Sequence, residues 1–126
     1  MSIDSASERR AADDALRADG VLAKVSSPVL TNSVVTSWSD SWAWAILGRR
    51  RKRSDGDVVV GVTQIATVSA LQSREDGSAT DTLLGMDRGH RIQIGSEVFV
   101  VLDPGPVSPV GVTILFEAEI EIGGFA

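Results

Sequence analysis

The chain contains no cysteine, which removes disulfides, thiolate metal sites and cysteine nucleophiles together and suits a reducing compartment. It has a single histidine, His90. A zinc site with one imidazole and no thiolate lacks most of its ligands, so His90 is read as a surface or turn residue, with neighbouring Arg91 disfavouring its charged form. No apolar run approaches the roughly 20 residues that span a bilayer. The N-terminus, Met1-Ser2-Ile3-Asp4, is acidic where a secretory signal is basic and then apolar. The expected setting is the cytoplasm or a soluble assembly, with no membrane contact.

What is present is apolar enough to fold. At 126 residues, 43% hydrophobic and 23% charged, the chain has the size of one domain and an ordinary globular composition. Its last third carries the clearest pattern. Arg91-Ile92-Gln93-Ile94, the pair Gly95-Ser96, and Glu97-Val98-Phe99-Val100-Val101 write a tight β-hairpin. From Val110 to Ile122 the even positions are apolar, while the facing set includes Thr113, Glu117, Glu119 and Glu121. That period of two predicts one long, half-buried strand. The fold class is therefore mainly β: a small β-barrel or sandwich with an N-terminal α-helix and long loops.

Ser5-Ala6-Ser7-Glu8 has the spacing of a capping box, and Gly20 is placed to end the helix that follows. Residues 1–20 then form a helical arm. Its apolar face is mostly alanine, with Ile3 and Leu16 the only large members. A helix this short is marginal alone, so it must lean on its own domain or on a partner. Residues 21–126 form the barrel domain, with short strands over Val21 to Val25 and over Val29 to Thr36, separated by Pro28. Trp42-Ala43-Trp44-Ala45-Ile46 alternates again. Three tryptophans beside a basic run admit a membrane-interface or base-stacking reading, but the alternation favours a strand with its aromatics in the core and its alanines outside. Loops are expected at 48–57 and 73–82, the first ending in the turn signal Asp55-Gly56-Asp57. The segment from Asp103 to Pro109 holds three of the four prolines and reads as a stiff connection.

The chemistry in the pattern is sparse. Asp55 and Asp57 lack the later acidic ligands of a calcium loop. Glu117, Glu119 and Glu121 share one strand face and read as a solvated or interface surface rather than a catalytic pair. The glycines match no nucleotide-binding spacing. The reading is a non-enzymatic module with no catalytic residues, no metal site and no cofactor.

Charge is the remaining signal. Net charge is −5, yet Arg49, Arg50, Arg51, Lys52 and Arg53 stand together. The other seven basic residues face seventeen carboxylates, a balance of −10. After Arg91 there is no Lys or Arg, and the tail carries Glu97, Asp103, Glu117, Glu119 and Glu121. One strongly positive loop on an acidic body is expected to attract DNA, an acidic neighbour or other copies of itself. The candidate contact residues are thus Arg49, Arg50, Arg51, Lys52 and Arg53 for DNA or a partner, and Leu16, Arg17, Glu117, Glu119 and Glu121 for neighbouring subunits.

The run from Leu83 through Gly85-Met86-Asp87-Arg88-Gly89-His90-Arg91 to Val101 resembles the signature of lambda-type head-tail joining proteins of long-tailed bacteriophages, the head completion or stopper proteins. In that family a turn leads into an alternating apolar strand, a tight turn, an aromatic with a valine, and one more strand. Here His90 stands where an aspartate is common, and the Trp-rich strand and the Arg49 to Arg53 run have no counterpart. The resemblance implies a structural protein of the virion neck, assembled in the host cytoplasm. It would form a ring of six or twelve copies that joins portal or adaptor to tail and helps retain DNA. A tail, baseplate or tail-terminator barrel is the first alternative. The second is a nucleic-acid-binding β-barrel using Trp38, Trp42 or Trp44 and the basic run, against which the acidic balance weighs.

Overall fold

A computed structural model describes residues 5–56, 58–108 and 111–122, with the backbone alone at 5, 51–55 and 58–61. The chain is mainly β with one N-terminal helix. Helix α1 (Ser5–Asp19) precedes nine strands: β1 (Val21–Thr31), β2 (Val34–Asp55), β3 (Val58–Ser69), β4 (Leu71–Ser73), β5 (Ala79–Leu83), β6 (Arg91–Ile94), β7 (Glu97–Asp103), β8 (Pro106–Val107) and β9 (Leu115–Ile122). Strand order runs β1-β6-β7-β9-β3-β2, and β2 pairs back onto β1. These six strands close a barrel, which β4, β5 and β8 extend.

Three two-residue turns organise the hairpins. Ile94 pairs with Glu97 across Gly95 and Ser96, as the alternation predicts, and Gly95 takes φ 62°. Thr31 pairs with Val34 across Asn32 (φ 52°) and Ser33 (φ 66°). Two successive positive φ values are what a type I′ turn requires, and Asn tolerates that region better than most residues. Asp55 pairs with Val58 across Gly56 at φ 63°.

The core contains Ala23, Val25, Ala43, Ala45, Ala66, Val68, Ile92, Phe99, Val101, Phe116, Ala118 and Ile120. Here the expected orientation of the tryptophan strand is reversed. Ala43 and Ala45 are fully buried, while Trp42, Trp44 and Ile46 are half-buried on the outer side. The reason is barrel size: six strands enclose less width than the eight that just accommodate packed side chains. Alanines on β1, β2, β3 and β9 leave room for Phe99, Phe116, Ile92 and Ile120. Each of those large side chains contributes on the order of 1.5–3 kcal/mol on burial.

Other boundaries also differ from the alternation-based reading. Val21 to Thr31 is one strand despite Pro28, which sits opposite Trp38. The final strand begins at Leu115 rather than Val110. Gly111 at φ 82° and the Ile114 N–H bond to the Val107 carbonyl make that stretch a turn, while Val110 itself lies outside the described residues. Residues 48–55 are not a loop: β2 continues through them, paired with β3 up to Asp55. A bulge between Leu47 and Arg50 interrupts the pairing without ending it. The 73–82 loop contracts to a tight turn around Gly77 between β4 and β5.

Helix α1 docks on the barrel rather than standing free. Gly20 donates its N–H to the Leu16 carbonyl at 2.7 Å and ends the helix. Leu16 and Asp13 are both buried. Asp13 Oδ1 accepts from Ser69 Oγ, and its Oδ2 accepts from Arg17 at 3.1 Å and Arg10 at 3.5 Å.

Candidate functional site

The outward features of the molecule are two ribbons carried by the ends of β2. Beyond Ser26, β1 has no described partner except β2, so residues 27–31 and 34–39 form a two-stranded ribbon. Among the described residues β3 before Thr63 pairs only with β2, so residues 52–55 and 58–62 form a second. One long strand thus lies in the barrel wall at its middle and protrudes at each end.

The two ribbons have opposite chemistry. No residue from Val25 through Ser39 is charged, and the first ribbon exposes Val29, Leu30, Val34 and Val35, with Leu30 paired directly opposite Val35. At its base Arg91 stacks over Trp38 with 4.0 Å between guanidinium and ring centroid, a distance at which cation–π attraction operates. The second ribbon and its root carry the basic run. Arg49 and Arg50 are exposed, and Arg50 reaches Glu97 at 3.0 Å, joining the bulge in β2 to the start of β7. Lys52 pairs with Val62 and Arg53 with Gly61 in the backbone register. The side chains of Arg51, Lys52 and Arg53 lie outside the described residues.

The other candidate contacts divide. Glu117 is exposed on the outer face of β9, with Glu119 and Glu121 half-buried beside it. Glu119 lies opposite Asp103 across the β7–β9 pair, so the acidic surface includes a residue of β7. Leu16 and Arg17, expected to meet a neighbouring subunit, are occupied within their own domain. Leu16 is 5% exposed. Arg17 bonds Asp13 and the Gly77 carbonyl and stacks over Trp44 at 5.4 Å. Trp44 Nε1 donates to the same Gly77 carbonyl at 3.1 Å. A helix of alanines offers few large contacts, so polar anchoring to the β4–β5 turn takes over. The pairing of Arg17 with that turn, through an arginine and a tryptophan far apart in sequence, leaves no local signal.

His90 lies in the turn before β6, with its Nδ1 accepting the Asp87 N–H at 3.2 Å. Burial holds it below the usual histidine range, and Asp87 opposes that shift. Desolvation is therefore the principal cause, in place of the Arg91 repulsion expected from the sequence. Among the described residues no three His, Asp or Glu side chains cluster as a metal would require, and no helix is long and apolar enough to cross a membrane.

Compared with protein-family models, curated proteins and solved structures, the chain matches none. The surfaces themselves therefore carry the functional reading.

Proposed function

We propose that this chain is a ring-forming structural subunit of a bacteriophage neck, joining portal or adaptor to tail, with its basic ribbon turned toward packaged DNA or an acidic neighbouring ring. The observation that carries the reading is β2, a 22-residue strand that holds a closed barrel at its centre, an uncharged apolar ribbon at one end and a basic ribbon at the other. A rigid body with two chemically distinct arms is suited to contacting different neighbours at once. A ring of such subunits multiplies five positive charges per copy into a strong field for phosphate, with no base-specific contact needed.

The engaged tryptophans favour this over a base-stacking barrel. The Trp38 ring is covered by Arg91, and Trp44 by Arg17 and its bond to Gly77, whereas single-strand binders present open aromatic faces. A tail or baseplate barrel shares the ring geometry and differs in which assembly it joins. Negative-stain electron microscopy of the full chain, alone and with purified heads and tails, tests the reading. Six- or twelve-fold rings seated at the head vertex support it, rings found only on tails move the protein to the tail, and single particles under every condition overturn it.

A further inference from the structure

The apolar ribbon tip has a complementary hole on the same chain, which it leaves open in the folded molecule. A groove of about 320 Å³ lies between the N-terminal end of α1 and the segment before β9, lined by Arg9, Ala70, Leu83, Leu84, Val112 and Phe116 among others. Leu83 is 58% and Val112 38% exposed at its edge, and Arg9 Nε donates to the Thr113 carbonyl at 3.1 Å within it. A dry void of roughly 150 Å³ already holds a benzene molecule, so this groove has room for two aliphatic side chains. The ribbon tip presents such a pair, Leu30 at 59% and Val35 at 47% exposure, on facing positions.

The two stand apart within one molecule. In the closed strand order β9 is three strands from β1 and two from β2, and Leu30 at the tip and Leu83 and Val112 at the groove edge all stay exposed rather than packed on one another.

We infer that the tip of the β1–β2 ribbon, led by Leu30 and Val35, seats in the Leu83–Val112–Phe116 groove of a second copy of this chain. Charge selects the occupant. A molecule of net charge −5 repels its own kind over most of its surface, but the ribbon from Val25 to Ser39 carries no charge and the residues lining the groove include no carboxylate. This is a surface pair through which two copies can approach without opposing acids. Knob and hole occupy different sites, so the contact is head-to-tail and propagates to a closed ring or an open filament according to its rotation. The inference rests on the ring reading above and names the contact that builds the ring.

Because the chain has no cysteine, cross-linking tests it cleanly. Leu30→Cys and Val112→Cys are made in separate full-length copies, mixed at high concentration and oxidised. The expected product is the mixed dimer in excess over either homodimer, and the double variant gives a ladder of oligomers. Homodimers in equal or greater amount, or no cross-link under conditions where rings form, would overturn the contact. Leu30→Ser with Val35→Ser, beyond the barrel, is expected to leave melting nearly unchanged while weakening association by about tenfold or more in sedimentation. Unchanged association sinks the proposal, as does flotation of the unsubstituted chain with neutral phosphatidylcholine vesicles that these two substitutions abolish, because the tip's occupant would then be lipid. Intact rings in the Ser variants leave the ring reading standing and remove only this contact; no self-association of the unsubstituted chain under any condition removes both.

Discussion

Asp13 Oδ1 accepts a 2.7 Å hydrogen bond from Ser69 Oγ, and both residues are almost wholly buried. Ser69 Oγ in turn accepts the Leu71 N–H at 3.1 Å, where the chain turns from β3 into β4. One serine therefore ties the helix and the turn together. Ser69→Ala leaves a buried carboxylate oxygen short of a donor and the Leu71 amide short of an acceptor, for a loss of about 1–3 kcal/mol. Asp13→Ala removes the charge that holds Arg10 and Arg17. Because those arginines are partly exposed, the cost is expected near 2 kcal/mol rather than the 3–5 of a fully buried pair. The double variant should lose less than the sum, measured as denaturant midpoints in a double-mutant cycle. Hydrogen exchange adds a second readout: α1 is protected in the free chain and frays selectively in Asp13→Ala.

The reversed faces of the Trp42–Ile46 stretch separate two substitutions of neighbouring residues. Ala45→Leu adds three carbons to a filled barrel and is expected to cost at least about 1–3 kcal/mol. Trp44→Phe removes one hydrogen bond to Gly77 and part of the Arg17 stacking, for about 1 kcal/mol. Thermal melting in which Trp44→Phe is the more damaging of the two would show that the tryptophan, and not the alanine, faces the core.

Two glycines test the backbone. Gly95 has φ 62° and open space where a Cβ would stand, so Gly95→Val carries only the conformational cost, about 1–3 kcal/mol. Gly105 has φ 53°, and a Cβ there would lie 2.1 Å from the Glu117 carbonyl oxygen. The Glu117 N–H bonds the Gly105 carbonyl at 2.8 Å, so the close approach is part of the seam that holds β9 to the proline-rich segment. Gly105→Ala is therefore expected to be the more destabilising, although alanine is the smaller side chain. Equal melting temperatures for the two variants would place the strain elsewhere.

Replacing Arg49, Arg50, Arg51, Lys52 and Arg53 by Gln should leave the melting temperature nearly unchanged. The ion pair recorded for the run, Arg50 to Glu97, is exposed and contributes at most about 1 kcal/mol. Partner docking or DNA retention should weaken most at low salt, with the gap to the unsubstituted protein narrowing as salt rises. Normal head completion by the substituted protein across a range of salt concentrations would leave the run without a role in the neck.

The hairpin from Arg91 to Asp103 and the helix from Ser5 to Asp19 were legible because each is specified locally: a period of two with a glycine turn, and a helix with a stop at Gly20. The mainly β class followed from the same alternation. The direction in which Trp44 and Ala45 point was not legible, because period two fixes that they face apart and leaves open which face is inside. That choice is made by barrel circumference, a property of all six strands. The basic run reads as a loop in sequence because it leads into the turn signal Asp55-Gly56-Asp57. In the structure the ladder to β3 fixes the backbone of the run as strand, and Arg49 and Arg50 at its root are exposed. Asn32-Ser33 is a turn that the Pro28 break obscured. The groove is assembled from Arg9, Ala70, Leu83, Val112 and Phe116, spread over most of the chain, and no local pattern announces it.

The continuity of β2 also has a mechanical meaning. A load applied to the basic end and resisted at the apolar end runs along a single covalent backbone, with no loop in its path to stretch. The ladders to β1 and β3 flank that backbone within the barrel wall, antiparallel to it, so they meet the load in shear, where many hydrogen bonds must yield together rather than one after another. A tether of this kind keeps its two arms at a fixed separation under tension, and the Leu47–Arg50 bulge is the point at which it would first give.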